Sequence, residues 1–205
     1  MTRQQGSGGK AQEGSGGRAQ GSGIRQQAAL VATALAVLIL LAPLFAQQTS
    51  PGAGAVIVLD TVKGIIEIET YPEEAPKTVA QITALVTKGF YNGLRFHRAE
   101  PDFLIQVGDP QSQNVMMREW WGRAGSGKPI GAAEITKKRR HVRGAVAMAY
   151  PGTDPRTADS QFYILLKAHP ELDARYTVFG KVIKGMEVAD TIQVSDILRK
   201  AYPRE

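Results

Sequence analysis

The polarity of the chain changes character twice. Positions 1–27 show no apolar periodicity; Gly, Ser and Gln recur in near-repeats of about seven residues, GSGGKAQE, GSGGRAQ and GSGIRQQ. Positions 28–46, AALVATALAVLILLAPLFA, are apolar with Thr33 the only polar side chain. From position 55 onward the pattern breaks into short runs. AVIVLDT, VKG and IIEIET predict two β-branched strands about a tight turn. APKTVAQITALVTKG, 75–89, opens on a proline, repeats apolar residues at helical spacing and closes on a glycine, which predicts a helix. Strand-like runs follow at 94–98, 103–107, 144–149, 161–166 and 176–183. GMEVADTI reads as a short helix, and a last strand falls near 192–197. Many short strands and few helices predict a mainly β fold, a closed antiparallel barrel with helices over its ends.

The first two segments set the expected organisation. Gly and Ser at that density cannot bury a core or hold a coiled coil, so 1–27 is expected to be a disordered basic tail. As a helix, 28–46 would span roughly 28 Å, close to the hydrocarbon thickness of a bilayer. Arg3, Lys10, Arg18 and Arg25 precede it and no charge follows until Asp60. The positive-inside rule then keeps the tail cytoplasmic and sends the C-terminal part across the membrane. An uncleaved transmembrane signal anchor is the expectation. A signal peptide cut after Ala46, which would release a secreted domain, and a buried core helix are the alternatives. QQTSPGAG, 47–54, is a linker, and 55–200 is assigned to the folded domain.

Composition narrows the chemistry. The chain has 205 residues and no cysteine, which excludes a thiol nucleophile, a disulfide framework and cysteine-based metal sites. The net charge of +6 is spread between tail and domain and forms no concentrated patch, so no nucleic-acid partner is expected. GRAGSGKP, 122–129, has the spacing of a phosphate-binding loop up to Lys128, but Pro129 stands where a Mg²⁺-binding hydroxyl belongs. KKRRHVR, 137–143, reads as a solvated loop leading into a strand, with phosphate or lipid headgroups as the alternative. The three histidines, 97, 141 and 169, lack metal-ligand spacing, and Met116–Met117 reads as loop packing. Of Trp120 and Trp121, one is expected to pack as a lid and the other to extend a groove.

Five blocks occur in order: FHRAEPDFLIQVGDP, AEITKKRRHVRGAVAMA, DSQFYILL, ELDARYTVFGKV and GMEVADTI. In these the chain resembles the cyclophilin family of peptidyl-prolyl cis–trans isomerases over nearly all of 55–198. The resemblance implies a closed eight-stranded antiparallel barrel capped by two helices, with no cofactor. It makes Arg98 and Gln106 catalytic. Phe103, Leu104, Ala149, Tyr150, Gln161, Tyr163, Leu172 and Tyr176 would bind substrate, a proline-containing polypeptide. Tyr163 stands where the family commonly has Phe, Glu171 where it often has Trp, Tyr176 where His is frequent, Val107 for a Gly and Tyr150 for an Asn. The expected protein is a monomeric, membrane-tethered isomerase acting on exported proteins. A non-catalytic proline-peptide binding module or holding chaperone using the same groove is the alternative. Strand alternation puts Gln161 with Tyr163 and Leu104 with Gln106, and turns His97 away from Arg98, making it a structural, hydrogen-bonded residue and not a general base.

Overall fold

The structure, a computed structural model, describes residues 54–204. The tail at 1–27, the apolar segment 28–46 and the linker positions before 54 lie outside the described residues. Among the described residues no helix is long and apolar enough to cross a membrane.

Eight antiparallel strands form one curled sheet: β1 (Val56–Thr61), β2 (Gly64–Thr70), β3 (Arg98–Glu100), β4 (Leu104–Val107), β5 (Ala145–Met148), β6 (Phe162–Leu165), β7 (Val178–Lys184) and β8 (Leu198–Pro203). Their spatial order is β3-β4-β6-β5-β7-β2-β1-β8. The edge strands β3 and β8 do not pair with each other. The segments leading into them meet instead, through an isolated bridge between Arg95 and Ile197 and bonds from Phe96 N to Asp196 O (3.0 Å) and Leu198 N to Leu94 O (2.8 Å). This is why the apolar alternation at 94–98 belongs mostly to a connecting segment: Leu94 and Phe96 are fully buried, but the strand begins at Arg98. The last strand likewise lies farther along than 192–197. Gln193 N bonds the Asp196 carboxylate and Ser195 takes a positive φ, which makes a turn there.

Two α-helices accompany the sheet, α1 (Pro76–Thr87) and the single turn α2 (Met186–Ala189). Proline at N1 starts α1, but its N-cap is Ala75, which has no side-chain acceptor. A distant residue does that work: Glu134 accepts from Lys77 N (2.9 Å) and Thr78 N (2.8 Å). Val79, Ile82 and Val86, at helical spacing, bury against the core.

The central strands are buried on both faces, so they read as continuous apolar runs. On one face Ile105, Val146, Phe162 and Ile164 join the main core with Leu59, Ile66 and Phe179. On the other, Leu104, Ala145, Ala147, Tyr163 and Leu165 form a second cluster with Tyr71 and Val178, against which Phe103, Ala149, Leu172 and Tyr176 pack. That second cluster is the floor of the site.

Candidate active site

Register builds the site. Arg98 pairs with Gln106, Gln106 with Tyr163 and Tyr163 with Ala147, so one line runs across β3, β4, β6 and β5. Residues directly opposite each other share a face. A guanidinium, an amide, a phenol and a methyl therefore stand in a row. Arg98, Phe103, Leu104, Gln106, Ala149, Tyr150, Tyr163, Leu172 and Tyr176 line one cleft of about 190 Å³. Gln161 lies in the neighbouring cleft of about 390 Å³, which shares Gln106, Ala149 and Tyr150 with the first. All ten residues singled out from the sequence thus surround two contiguous clefts.

Arg98 sits at the rim with 41% of its side chain exposed. Its Nε donates to Glu100 Oε1 at 2.7 Å, and its guanidinium carbon lies 5.3 Å from the centre of the Phe103 ring. No hydrogen bond joins Arg98 to Gln106 among the described residues; Gln106 Nε2 donates to Gln161 Oε1 at 2.8 Å instead. Gln161 is itself held, its Nε2 donating to the carbonyls of Gly122 (3.0 Å) and Ala124 (2.8 Å).

Those carbonyls belong to the segment with phosphate-loop spacing, and its backbone N–H groups are already used. Asp109, fully buried, accepts from the amides of Gln111, Gly122, Arg123 and Ala124. Asp159 accepts from those of Ser126, Gly127 and Lys128. Two carboxylates of the chain occupy the place a phosphate would take, and the loop becomes a fixed wall of the larger cleft. Gly125 permits this approach, since a Cβ there would fall on the Asp159 carboxylate, and Gly108, with a φ of 112°, lets the segment of Asp109 pack against the Ser160 carbonyl beside Asp159. Trp121 is tied down, its Nε1 donating to Asn114 O at 3.1 Å, whereas Trp120 is half exposed with the Arg123 guanidinium 4.9 Å from its ring.

The floor shows what the sequence reading missed. The Tyr163 ring is 3% exposed, and its hydroxyl lies 3.2 Å from His141 Nε2. His141 Nδ1 lies 3.1 Å from Asp173 Oδ1, and Asp173 Oδ2 lies 2.6 Å from Arg140 Nε. The run 137–143 is therefore not simply a solvated loop. Arg139 bonds Glu74 and stacks 3.6 Å from the centre of the Tyr71 ring, Arg143 bonds Asp190, and His141 is buried. Burial lowers the pKa of His141, against the opposing pull of Asp173. Burial also holds the Tyr163 phenol far above its ordinary value. A signal was present in the sequence: a tyrosine on an apolar floor needs a partner for its hydroxyl.

The other two histidines differ. His97 has both ring nitrogens buried without a well-formed hydrogen bond among the described residues; burial lowers its pKa, opposed by Asp109 and by the Gln161 side chain. His169 Nδ1 lies 2.7 Å from Glu171 Oε1, which raises its pKa, and its ring meets the edge of Phe103 at 4.6 Å.

A curled antiparallel sheet with an arginine beside an apolar cleft defines the class, and comparison with known proteins agrees. Residues 56–205 match the family described as cyclophilin type peptidyl-prolyl cis-trans isomerase/CLD. The chain is 39% identical over 149 residues to peptidyl-prolyl cis-trans isomerase-like 3 of Rattus norvegicus, covering 71% of this chain and 86% of the relative. It is 39% identical over 135 residues to peptidyl-prolyl cis-trans isomerase B of Bacillus subtilis, covering 66% and 87%. The crystal structure of a cyclophilin type peptidyl-prolyl cis-trans isomerase from Cryptosporidium parvum matches with a TM-score of 0.65 and 26% identity, over 74% of this chain and 98% of that one. The chain belongs to the cyclophilin family, and its activity is peptidyl-prolyl cis–trans isomerisation.

Proposed function

We propose that the cleft between Arg98 and Tyr163 is where this isomerisation occurs, with the proline ring of a polypeptide seated on Phe103, Leu104, Tyr163 and Leu172. The bond ahead of proline is planar by resonance, and rotating it costs about 18–20 kcal/mol. At the half-turned transition state the conjugation is broken and the proline nitrogen carries a localised lone pair. In the ground state that lone pair is delocalised and accepts poorly. A guanidinium N–H directed at this nitrogen favours the transition state over substrate, which is what lowers a barrier. No bond is cleaved, so the step calls for no nucleophile. One charge-assisted hydrogen bond supplies about 1.5–3 kcal/mol, roughly 10- to 150-fold in rate. The remainder comes from the apolar slot, which grips the ring while the preceding carbonyl swings in a partly dewatered groove. Gln106, held by Gln161, keeps its carbonyl oxygen for a substrate backbone N–H.

The observation that carries this reading is the convergence of nine residues on one cleft of about 190 Å³, with the guanidinium at its rim. A second structure of the Cryptosporidium parvum protein, in the presence of dipeptide Ala-Pro, supports proline as the recognised group. In a proline-limited refolding assay on the full chain, Arg98→Ala should lower kcat/KM about 10- to 150-fold. Equal activity of variant and wild type would overturn the assignment, as would peptide binding to wild type without faster exchange of its X-Pro bond.

The setting of that activity belongs to the same reading. The curled sheet acts as a closed barrel, with α1 and α2 as its caps. Residues 28–46 anchor it as a single-pass membrane protein with its N-terminus cytoplasmic. The domain works as a monomer outside the membrane, on slow X-Pro steps of exported proteins. The apolar length of 28–46 and the four basic residues before it support this. Protein sequencing of the N-terminus from membrane and soluble fractions tests it. A start at Gln47 in the soluble fraction alone would replace the anchor by a cleaved leader.

A further inference from the structure

His141 takes no part in the chemistry described above, yet it is buried and in contact with the tyrosine at the floor of the cleft. Its residue is 2% exposed. Its backbone N donates to Asp173 Oδ1 at 2.8 Å, and its Nδ1 faces the same oxygen at 3.1 Å. A carboxylate only accepts, so the ring hydrogen belongs on Nδ1. Nε2 is then a lone pair, and Tyr163, 3.2 Å away, is its donor. The Tyr163 hydroxyl hydrogen is thereby turned back into the protein, away from the space a proline ring would fill. The Tyr163 and His141 rings lie nearly parallel at 6.3 Å, and the Tyr176 ring meets both edge-on, at 5.8 Å and 6.2 Å.

Asp173 adds a second consequence. It follows Leu172 directly and precedes Tyr176 by three positions, and the bond it accepts from the His141 backbone N, which needs no imidazole, ties down the loop that carries two walls of the cleft. Arg140, whose Nε lies 2.6 Å from Asp173 Oδ2, holds the carboxylate from the outside.

We propose that His141 is a positioning residue of this isomerase: with its tautomer set by Asp173, it keeps the floor of the proline slot free of a hydrogen-bond donor by accepting from Tyr163. The proposal rests on the assignment of this cleft as the proline site. A chain with tyrosine at this floor needs such an acceptor behind it. Without one, the hydroxyl must take its partner from the cleft, where it competes with seating of the ring.

The test is a double-mutant cycle on the full chain, with exchange kinetics on an Ala-Pro-containing peptide resolved into KM and kcat. His141→Leu should raise KM about 10-fold with a much smaller change in kcat. In the Tyr163→Phe background the same substitution should change KM less than about twofold, because no hydroxyl remains to be held. An equal rise in both backgrounds, or none in either, overturns the proposal. Should His141→Leu fail to fold, the pH dependence of KM decides. Protonation of His141 removes its lone pair, so KM should rise on acidification in wild type and stay flatter in Tyr163→Phe. Asp173 and Glu171 from the wall loop, Arg140 on its own segment, Tyr163 from β6, Tyr176 and the nearby His169 all face or flank His141. All but Tyr163 are common to both backgrounds, so the difference between the two profiles belongs to the His141–Tyr163 contact. Identical profiles overturn the proposal. Arg98→Ala in the same assay separates the two claims. If it costs activity while the cycle shows no coupling, the site stands and the positioning role fails. If it costs nothing, both fall.

Discussion

Two loops wall the groove, and aspartates pin both from behind, by different means. On the side of the larger cleft, Asp109 and Asp159 gather seven backbone N–H groups between them, six of them in the run 122–128. That loop then holds Gln161, and Gln161 holds Gln106. On the side of the smaller cleft, Asp173 reaches the floor through one imidazole and single bonds in series. A carboxylate surrounded by amides fixes a backbone whatever side chains the loop carries. An imidazole in series fixes one hydroxyl and can be uncoupled without unfolding the wall. The first arrangement is a foundation and the second an adjustment, and the difference can be measured.

Asp109→Ala strikes the foundation and should have the largest effect. It leaves four amides without their acceptor beside a fully buried position. Losing hydrogen bonds to a charged group and stranding buried donors costs about 3–4 kcal/mol in total, allowing for partial relaxation. Thermal unfolding of the variant should fall by about 10 °C for a domain of this size. A loss under about 1 kcal/mol would show that the loop is held by something other than this carboxylate.

Asp159→Ala strikes the same loop nearer to solvent, where water can replace the lost acceptor for Gly127 and Lys128. The expected cost is smaller, about 1–2 kcal/mol. Hydrogen exchange should locate it: the amides of 126–128 should exchange faster while those of 122–124, held by Asp109, keep their protection. Uniform loss of protection across 122–128 would mean that the two carboxylates act as one unit.

The difference between these loops also explains what the sequence disclosed. The strands were legible because β4, β5 and β6 bury both faces, as Ile105 and Leu104 do on opposite sides, and so appear as apolar runs with sharp ends. The ten residues around the clefts came from ordered blocks resembling a family, and register then accounts for four strands bringing them together. The tethers were not legible. Asp159 reaches amides 31 to 33 positions away and Asp173 reaches His141 across 32, with no local spacing to betray them. The phosphate-loop spacing at 122–128 pointed to a real property, a row of inward backbone amides, but the anion they bind is the chain's own. The strand expected at 192–197 was misplaced because the bond between Gln193 N and the Asp196 side chain competes with strand pairing there.

The smallest effect separates the loops by pH. Burial lowers the pKa of His141 in the folded chain, so the folded state binds fewer protons there than the unfolded state and stability rises with pH. The contribution is complete above the ordinary imidazole value of about 6.5 and is lost as pH falls below it toward the depressed folded value. His97, packed against Gly122 on the other side, is also lowered by burial and contributes with the same sign. His169 is raised by Glu171 and has the opposite sign, its contribution disappearing as pH rises through its folded value. Denaturant unfolding of wild type between pH 7 and pH 5 should therefore show stability falling with acid, about 6.5 being where the fall begins. His97→Leu and His141→Leu should each remove part of that slope, one for each loop. If His141→Leu leaves the slope intact, the imidazole is not the titrating element of the tether behind Tyr163, and the distinction drawn between the two walls reduces to a count of hydrogen bonds.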